Sequence, residues 1–360
     1  MKTSLGEIIK KCNIDLYGVA SGGCLENSRE ILSHRINNGQ ITEFESLEID
    51  ERINLKNYLD NPKSVIVIGL TYPLLGLEKD NKDKYQGWYT ASSMGIDYHI
   101  LVREKLYLLL EELKKEYDSF SYYLGVDTSP LLDRGFAKES GIGFYGKNSF
   151  VINPELGSAF FIGYLITDLD FEITKEKITD NCGVCSKCID SCPTGAISSK
   201  GMDPGKCISY ITQKKDLSFE EMDLIGKKLY GCDVCQMVCP YNRENIKNLR
   251  YAEKNYIELL ELISISNKEY KNLYGNKSFS WRGRKIIKRN AYVALGNYKD
   301  EDLYDKLKNF YGKESDYYLI YIARAMYLSD KERFITDVSV EKSIKDKVLD
   351  EIEKNVKLIL

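Results

Sequence analysis

Eight of the ten cysteines lie between Cys182 and Cys239. The stretch CGVCSKCIDSCPTG runs from Cys182 to Gly195 with the spacing C-x2-C-x2-C-x3-C, closed by Pro193. A second stretch, YGCDVCQMVCPYN, carries Cys232, Cys235 and Cys239, closed by Pro240, and Cys207 stands between the two in KCISYIT. Structural zinc takes four thiolates in two CxxC pairs, whereas two thiol groups that each end in Cys-Pro have the run of a two-cluster bacterial ferredoxin. The reason is geometric. A tight C-x2-C-x2-C loop wraps three corners of one cubane, and the cysteine before proline has left that loop to face the neighbouring cluster. One [4Fe-4S] cluster is therefore expected on Cys182, Cys185, Cys188 and Cys239, and the other on Cys192, Cys207, Cys232 and Cys235. The second run is one ligand short, and Cys207 supplies it. A pair of zinc ribbons leaves the Cys-Pro endings unexplained. Cys12, on a helix, and Cys24, in a loop, read as ordinary thiols. Two clusters make a wire, and a wire implies one-electron delivery to a receiver in the same chain.

The elements that position this wire and its receiver fall into three segments. With 360 residues the chain exceeds one core. Residues 1–175 alternate helical and strand-like patterns. SLGEIIKKCNI has helical periodicity, SVIVIGLTYP from Ser64 is a buried strand, and DYHILVREKLYLLLEELKKEY from Asp97 is an amphipathic helix. SFSYYLGV reads as a strand. SPLLDRGFAKESGIG reads as a short helix with start signals at Ser129 and Pro130 and a stop at Gly141. SFVINPELGSAFFIGYLITDLDF reads as a hairpin, two apolar runs joined by NPELG. This is an α/β or α+β domain with a mixed or antiparallel sheet, and without GxGxxG or GxxxxGK[ST] a dinucleotide or NTP site has no support. Residues 176–245 hold the eight clustered cysteines. Residues 246–360 have a helical pattern without strand-like alternation, and KIIKRNAYVALGNYKD and DYYLIYIARAMYLSD suggest the two-helix units of a short HEAT-like stack.

Composition narrows the function classes. The start of the chain, MKTSLGEIIKKCNIDLYGVA, lacks the apolar run of a signal peptide, and VIVIGL and FFIGYLI are too short to span a membrane. The expected location is the cytoplasm, where thiols stay reduced and serve metals or catalysis rather than disulfides. A net charge of −3 provides no global field for nucleic acid, so binding of that kind needs a local patch. Trp281, Arg282, Arg284, Lys285, Lys288 and Arg289 form the one concentrated patch. On charge alone it reads as a solvated helix face.

The chain as a whole resembles the epoxyqueuosine reductases, cobalamin-dependent iron–sulfur enzymes of tRNA modification. The resemblance rests on ERINLKNYLDNPKSVIVIGLTYP, GIDYHILVREKL, VDTSPLLDRGFAKESGIGFYGKNSFVINPELGSAFFIGYLITDL, both cysteine runs with KCISYIT, and SWRGRKIIKRNAYVALGNYKD. It implies an α+β multidomain protein: a nitroreductase-like cobalamin-binding domain over 1–175, a two-cluster ferredoxin domain over 176–245 and a HEAT-like tRNA-binding domain over 246–360. It also implies the reaction: reduction of the epoxide of epoxyqueuosine at the tRNA wobble position to the alkene of queuosine, with two electrons and two protons and release of water. Cobalamin between the first two domains would be reduced through the clusters. The implied partners are the tRNA anticodon stem-loop and an external low-potential electron donor, with no membrane and a monomeric chain.

Opening an epoxide generates an alkoxide, which a positioned carboxylic acid can protonate, a gain on the order of 10²–10⁴-fold. The resemblance implies that Asp127, in VDTSP, is this proton donor, and burial against a corrin would favour its protonated form. The other reading of Asp127 is an N-cap or Asx-turn for the helix near Pro130. Asp133 reads as a surface residue or a partner of Arg134. Cobalamin contacts implied by the resemblance are Arg52, Thr90, Asn148, Val151, Ile162, Ser209 and Asp233, with Lys147 beside Asn148. Without it, Arg52 reads as a surface partner of Glu51 or Asp50, Asn148 as a turn residue, and Val151 and Ile162 as core. The only histidines are His34, in a polar stretch, and His99, which caps or packs; the resemblance implies that cobalamin is held without a protein histidine on cobalt. The resemblance turns the basic patch into a tRNA contact, with stacking by Trp281. A reductive-dehalogenase-like enzyme and an electron-transfer protein without catalysis are the competing readings. The first needs an export signal, and the second leaves the first segment unexplained.

Overall fold

The computed structural model describes residues 3–74, 85–179, 181–244 and 255–359. The chain forms two compact units. One comprises Met1–Gly76, Ala91–Gly205 and Asp233–Ala252, the other Leu77–Thr90, Lys206–Cys232 and Glu253–Leu360. The cysteine-bearing segment thus contributes to both.

The first unit is built on strands β1 (Leu16–Ser21), β2 (Ser64–Thr71), β3 (Tyr122–Gly125) and β4 (Phe160–Thr167). They form one antiparallel sheet in the order β1-β2-β4-β3. Ser64 faces Thr167 and Thr71 faces Phe160, while Gly125 faces Tyr164. Both faces of β2 are covered, which is why VIVI is apolar without alternation. Ile66 and Ile68 pack with Ile8 and Ile9 of helix α1 (Leu5–Lys11) and with Val102, Leu106 and Leu109 of helix α2 (Tyr98–Glu116). Val65 and Val67 pack on the opposite face with Leu55, Phe136 and Ala137, the last two on helix α3 (Asp133–Glu139). Helix α1 starts at a capping box formed by Ser4 and Glu7. Cys12 is buried in the core, as expected of an ordinary thiol.

Two sequence expectations fail here. The two apolar runs around NPELG do not pair as a hairpin. Val151–Ile152 pairs with Phe144–Tyr145, and β4 inserts between β2 and β3. Only the bridge between Asn153 and Gly157 links the runs. The NPELG turn itself forms, with Asn153 Oδ1 accepting the Glu155 and Leu156 N–H groups, but each arm pairs with a different strand. The second failure is the helix start. Helix α3 begins at Asp133 rather than at Ser129 and Pro130, because Leu132 N–H donates to the Arg52 carbonyl at 2.9 Å and holds residues 127–132 as a loop. The stop holds: Gly141 takes φ +80° directly after the Ser140 cap.

In the second unit, Gln86–Tyr89 lies between Lys228–Tyr230, in parallel, and Tyr256–Glu258, antiparallel. The last of these is a short strand inside the segment expected to be wholly helical. From Leu259 onward the described residues are helical, including Leu259–Ser264, Gly283–Gly296, Tyr304–Tyr311, Asp316–Ser329 and Lys342–Ile359. Gly296 lies so near the helix Asp316–Ser329 that a Cβ there would meet Ala325 Cα at 2.8 Å. Among the described residues no helix is long and apolar enough to cross a membrane.

Candidate functional site

Cys182, Cys185, Cys188 and Cys239 line one pocket of about 180 Å³ in the first unit, with Lys147, Asn148, Ile152, Lys187 and Tyr241. These are the four thiols the spacing assigns to one cluster, and Cys239 reaches them from half a hundred residues further along the chain. The loop that carries them is tight: Cys185 N–H donates to the Cys182 carbonyl at 2.9 Å, and Gly183 takes φ +48°. Lys147 clamps it, donating to the Gly183 and Cys185 carbonyls at 2.7 and 3.0 Å. Burial raises the Cys239 thiol pKa, and the charges of Cys182, Cys188 and Cys185 raise it further. Four thiols converging on one pocket fit the ligand set of an iron–sulfur cluster. Burial opposes ionisation of Cys192, but the N–H and hydroxyl of Thr194 and the N–H groups of Ile197 and Ala196 outweigh it and lower the pKa. Cys192 and Cys235 belong to the first unit, Cys207 and Cys232 to the second.

A second constellation surrounds Asp127, also in the first unit. Asp127 is exposed and takes φ +46°, unusual for a residue with a side chain. The Tyr98 hydroxyl donates to its carboxylate, and its own N–H donates to Asp133 Oδ2 at 3.1 Å. The expected surface position of Asp133 is not found. Asp133 Oδ1 is buried without a hydrogen-bond partner. Burial, and then the Asp127 charge, push its pKa up to about 8. Arg134 instead turns its Nη1 to the Ser149 carbonyl, at 2.9 Å. Sequence reasoning missed Tyr98. Its signal lay in IDYHILV, where Asp97 caps α2 and fixes the first helical side chain at the sheet end. The Tyr98 ring stacks on Phe161 of β4 at 4.7 Å, and Phe161 stacks on Tyr72 at 4.5 Å.

The other expected contacts are held as follows. Arg52 is buried and pairs with Glu45 at 2.9 Å, not with Glu51 or Asp50, because Arg29 takes Asp50 and Ser46 holds Glu51. Asn148 is buried, and its Oδ1 accepts the Phe150 N–H at 3.2 Å. Val151 is buried and half-buried Ile162 packs against the same apolar cluster. The β3–β4 pairing ends at Gly125–Tyr164; Asp127 follows two residues beyond Gly125, and Ile162 lies on β4 two residues before Tyr164. Asp233 accepts the Ala91 N–H at 2.7 Å. In the second unit, Thr90 N–H donates to the Tyr230 carbonyl at 2.9 Å, and the Ser209 carbonyl accepts from Thr212 and Gln213. His99 packs rather than caps: Asp97 is the helix cap and accepts the His99 N–H, His99 Nδ1 lies 2.7 Å from Asp97 Oδ1, and the ring stacks on Tyr98. His34 lies on the helix Arg29–Asn37.

The basic stretch divides. Arg289 is fully buried and donates to the carbonyls of Lys214 and Lys215, each at 3.0 Å, and of Thr212. Lys288 is buried against Glu314. Both are therefore removed from the expected tRNA contact: they sit on the inward face of the helix Gly283–Gly296. Trp281 is 55% exposed and its indole N–H donates to the Tyr230 hydroxyl at 2.9 Å. The Arg282 guanidinium lies over the Trp281 ring, and the exposed Lys285 ammonium stands 3.8 Å from the Tyr317 ring centre. Arg284 reaches Asn267 Oδ1 at 3.4 Å.

Comparison with known proteins supports the same assignment. Residues 52–128 match the family described as epoxyqueuosine reductase QueG, DUF1730, and residues 181–242 match the 4Fe-4S double cluster binding domain. The chain is 37% identical to the epoxyqueuosine reductase of Lactococcus garvieae over 85% of its own length and 90% of the relative's. It is 35% identical to that of Bacillus subtilis, over 87% and 83%. The solved epoxyqueuosine reductase of Streptococcus thermophilus superposes with a TM-score of 0.88 at 31% identity, covering 97% of this chain and 98% of the other. An epoxyqueuosine reductase solved with an epoxyqueuosine-modified tRNA-Tyr stem loop gives 0.86 at 33% identity, covering 97% of each.

Proposed function

The chain belongs to the epoxyqueuosine reductase family, and from that premise we propose that it reduces epoxyqueuosine in tRNA to queuosine, with its own residues dividing the work between electron entry, proton delivery and tRNA contact. The observation that carries this reading is the match along 97% of the chain to a reductase solved with the modified stem loop. The reaction takes up two electrons and two protons, breaks both C–O bonds of the epoxide, forms the alkene and releases water.

Cys182, Cys185, Cys188 and Cys239 hold one [4Fe-4S] cluster in the pocket they line. Cys192, Cys207, Cys232 and Cys235 are assigned to the second on their spacing. Cobalamin, when bound, supplies a low-valent cobalt as the immediate reductant of the epoxide. Its proposed place in the first unit is beyond the end of β3, with the exposed carboxylate of Asp127 and, from β4, the half-buried apolar side chain of Ile162. Arg52, Asn148, Val151 and Asp233 are the further contacts proposed in the first unit; Thr90 and Ser209, in the second, are proposed on the resemblance alone.

Asp127 delivers the proton to the opening epoxide oxygen, and the Tyr98 hydroxyl fixes the carboxyl that does so. Trp281, Arg282, Arg284 and Lys285 contact the tRNA, through backbone charge and one exposed ring. The paired helices that cross at Gly296 and Ala325 support reading the C-terminal segment as a HEAT-like stack. The enzyme is further proposed to be a cytoplasmic monomer fed by an external low-potential donor. Family membership decides against the dehalogenase and electron-carrier readings.

The test is incubation of cluster-loaded protein with cobalamin, a strong reductant and an epoxyqueuosine-containing stem loop. Nucleoside mass spectrometry should show loss of one oxygen. An intact, fully loaded protein that forms no queuosine overturns the proposal.

A further inference from the structure

We propose that Asp133 is a positioning residue, which tethers the Asp127 loop by accepting the Asp127 backbone N–H and so fixes where the proton-donating carboxyl stands. The inference rests on the reading of Asp127 as the acid.

Three observations lead to it. Asp127 holds a left-handed backbone conformation at φ +46°. A residue with a side chain keeps such a conformation only where its surroundings over-determine it. Here the restraints are few and can be named: Tyr98 on the carboxylate, Asp133 on the N–H, Leu132 N–H on the Arg52 carbonyl, and Ser129 Oγ 2.5 Å from the Tyr164 hydroxyl. Asp133 makes the one side-chain contact to the Asp127 backbone among these. Second, Asp133 opens helix α3, where an acid would ordinarily serve the helix's own N–H groups. Its recorded bond instead runs backward to Asp127, six residues earlier. Third, the arrangement is unfavourable for folding. Asp133 Oδ1 is buried with no partner, and the carboxyl faces the Asp127 charge from the loop, with the Arg134 guanidinium and the Tyr164 hydroxyl as its other polar neighbours. A buried carboxyl left half satisfied destabilises the fold. Its retention beside the acid is intelligible if it acts on the loop.

The experiment compares Asp133→Ala, Asp133→Asn and Asp127→Asn in the cluster-loaded full chain. Amide hydrogen exchange over residues 126–132, turnover of the modified stem loop, and thermal midpoint are measured for each. Asp133→Ala removes the acceptor. Exchange in the loop should rise by about ten-fold, as expected for the loss of one hydrogen bond, and turnover should fall by at least as much. Its thermal midpoint should stay level or rise, whereas a residue that merely supports the fold would lower it. Asp133→Asn keeps an acceptor oxygen and should restore both loop protection and most of the turnover. Asp127→Asn should lose turnover with its loop still protected. Wild-type exchange in Asp133→Ala, or exchange in Asp133→Asn as fast as in the alanine variant, overturns the tether. Near-normal turnover by Asp127→Asn overturns the acid reading instead, and the exchange data then decide the tether by themselves.

Discussion

Asp133 and Arg289 are both ionisable side chains drawn out of water, and the molecule treats them in opposite ways. Arg289 spreads its guanidinium over the carbonyls of Lys214, Lys215 and Thr212, with Asn290 beside it. Burial still lowers its pKa, the direction expected of a desolvated cation. Asp133 receives one backbone N–H on one oxygen and nothing on the other. A satisfied buried charge organises packing, here between its own helix and the segment around Thr212. A half-satisfied buried carboxyl destabilises the fold, and the proposed tether gives it a role on the Asp127 loop. The contrast separates structural from functional charge more surely than exposure does.

The largest effect expected from this comparison is on catalysis. Asp127→Asn should lower single-turnover queuosine formation by on the order of 10²–10⁴-fold, with iron content, cobalamin spectrum and thermal midpoint unchanged. Near-wild-type rates would remove Asp127 from the mechanism. On the structural side, Arg289→Ala should destabilise the chain by about 3–5 kcal/mol, because it strands several buried carbonyls. Denaturant unfolding would check it, and an unchanged midpoint would place Arg289 with the exposed charges after all.

A milder test uses pH. The unfolded carboxyl of Asp133 ionises near the ordinary aspartate value, and the folded one only near about 8. Between those values the folded state holds the extra proton. Asp133 therefore lowers stability as pH rises through that window, and its effect levels off above the folded value. Unfolding free energies from pH 5 to pH 8 should fall less steeply in Asp133→Asn than in the wild type. Identical slopes would mean that the carboxyl is not desolvated in solution. The smallest effect belongs to the exposed half of the basic stretch. Lys285→Ala should weaken stem-loop binding a few-fold and reduce the log–log salt slope by about one. Lys288→Met should leave that slope alone, since Lys288 is committed to Glu314. Equal slope changes for the two would contradict the division of the stretch by burial. Cys239→Ser bears on neither charge but on the pocket, and should cost one cluster's worth of iron on reconstitution.

What the sequence by itself determined is the chemistry whose geometry is local. Cysteine spacing around a cubane is dictated by the cluster, so spacing alone groups Cys182, Cys185 and Cys188 with the remote Cys239, and these four line one pocket. The same holds for β2 and α2, whose apolar patterns declare burial on two faces and on one. Tertiary structure alone decided the rest. It sent β4 to a different partner from Val151–Ile152, it buried Asp133 and exposed Asp127, and it drew Lys288 and Arg289 inward while leaving Trp281 and Lys285 outside. Burial and hydrogen-bond satisfaction depend on which distant segments arrive around a residue. In a run such as WRGRKIIKR the residues themselves do not say which of five cations will meet a carbonyl and which will meet water.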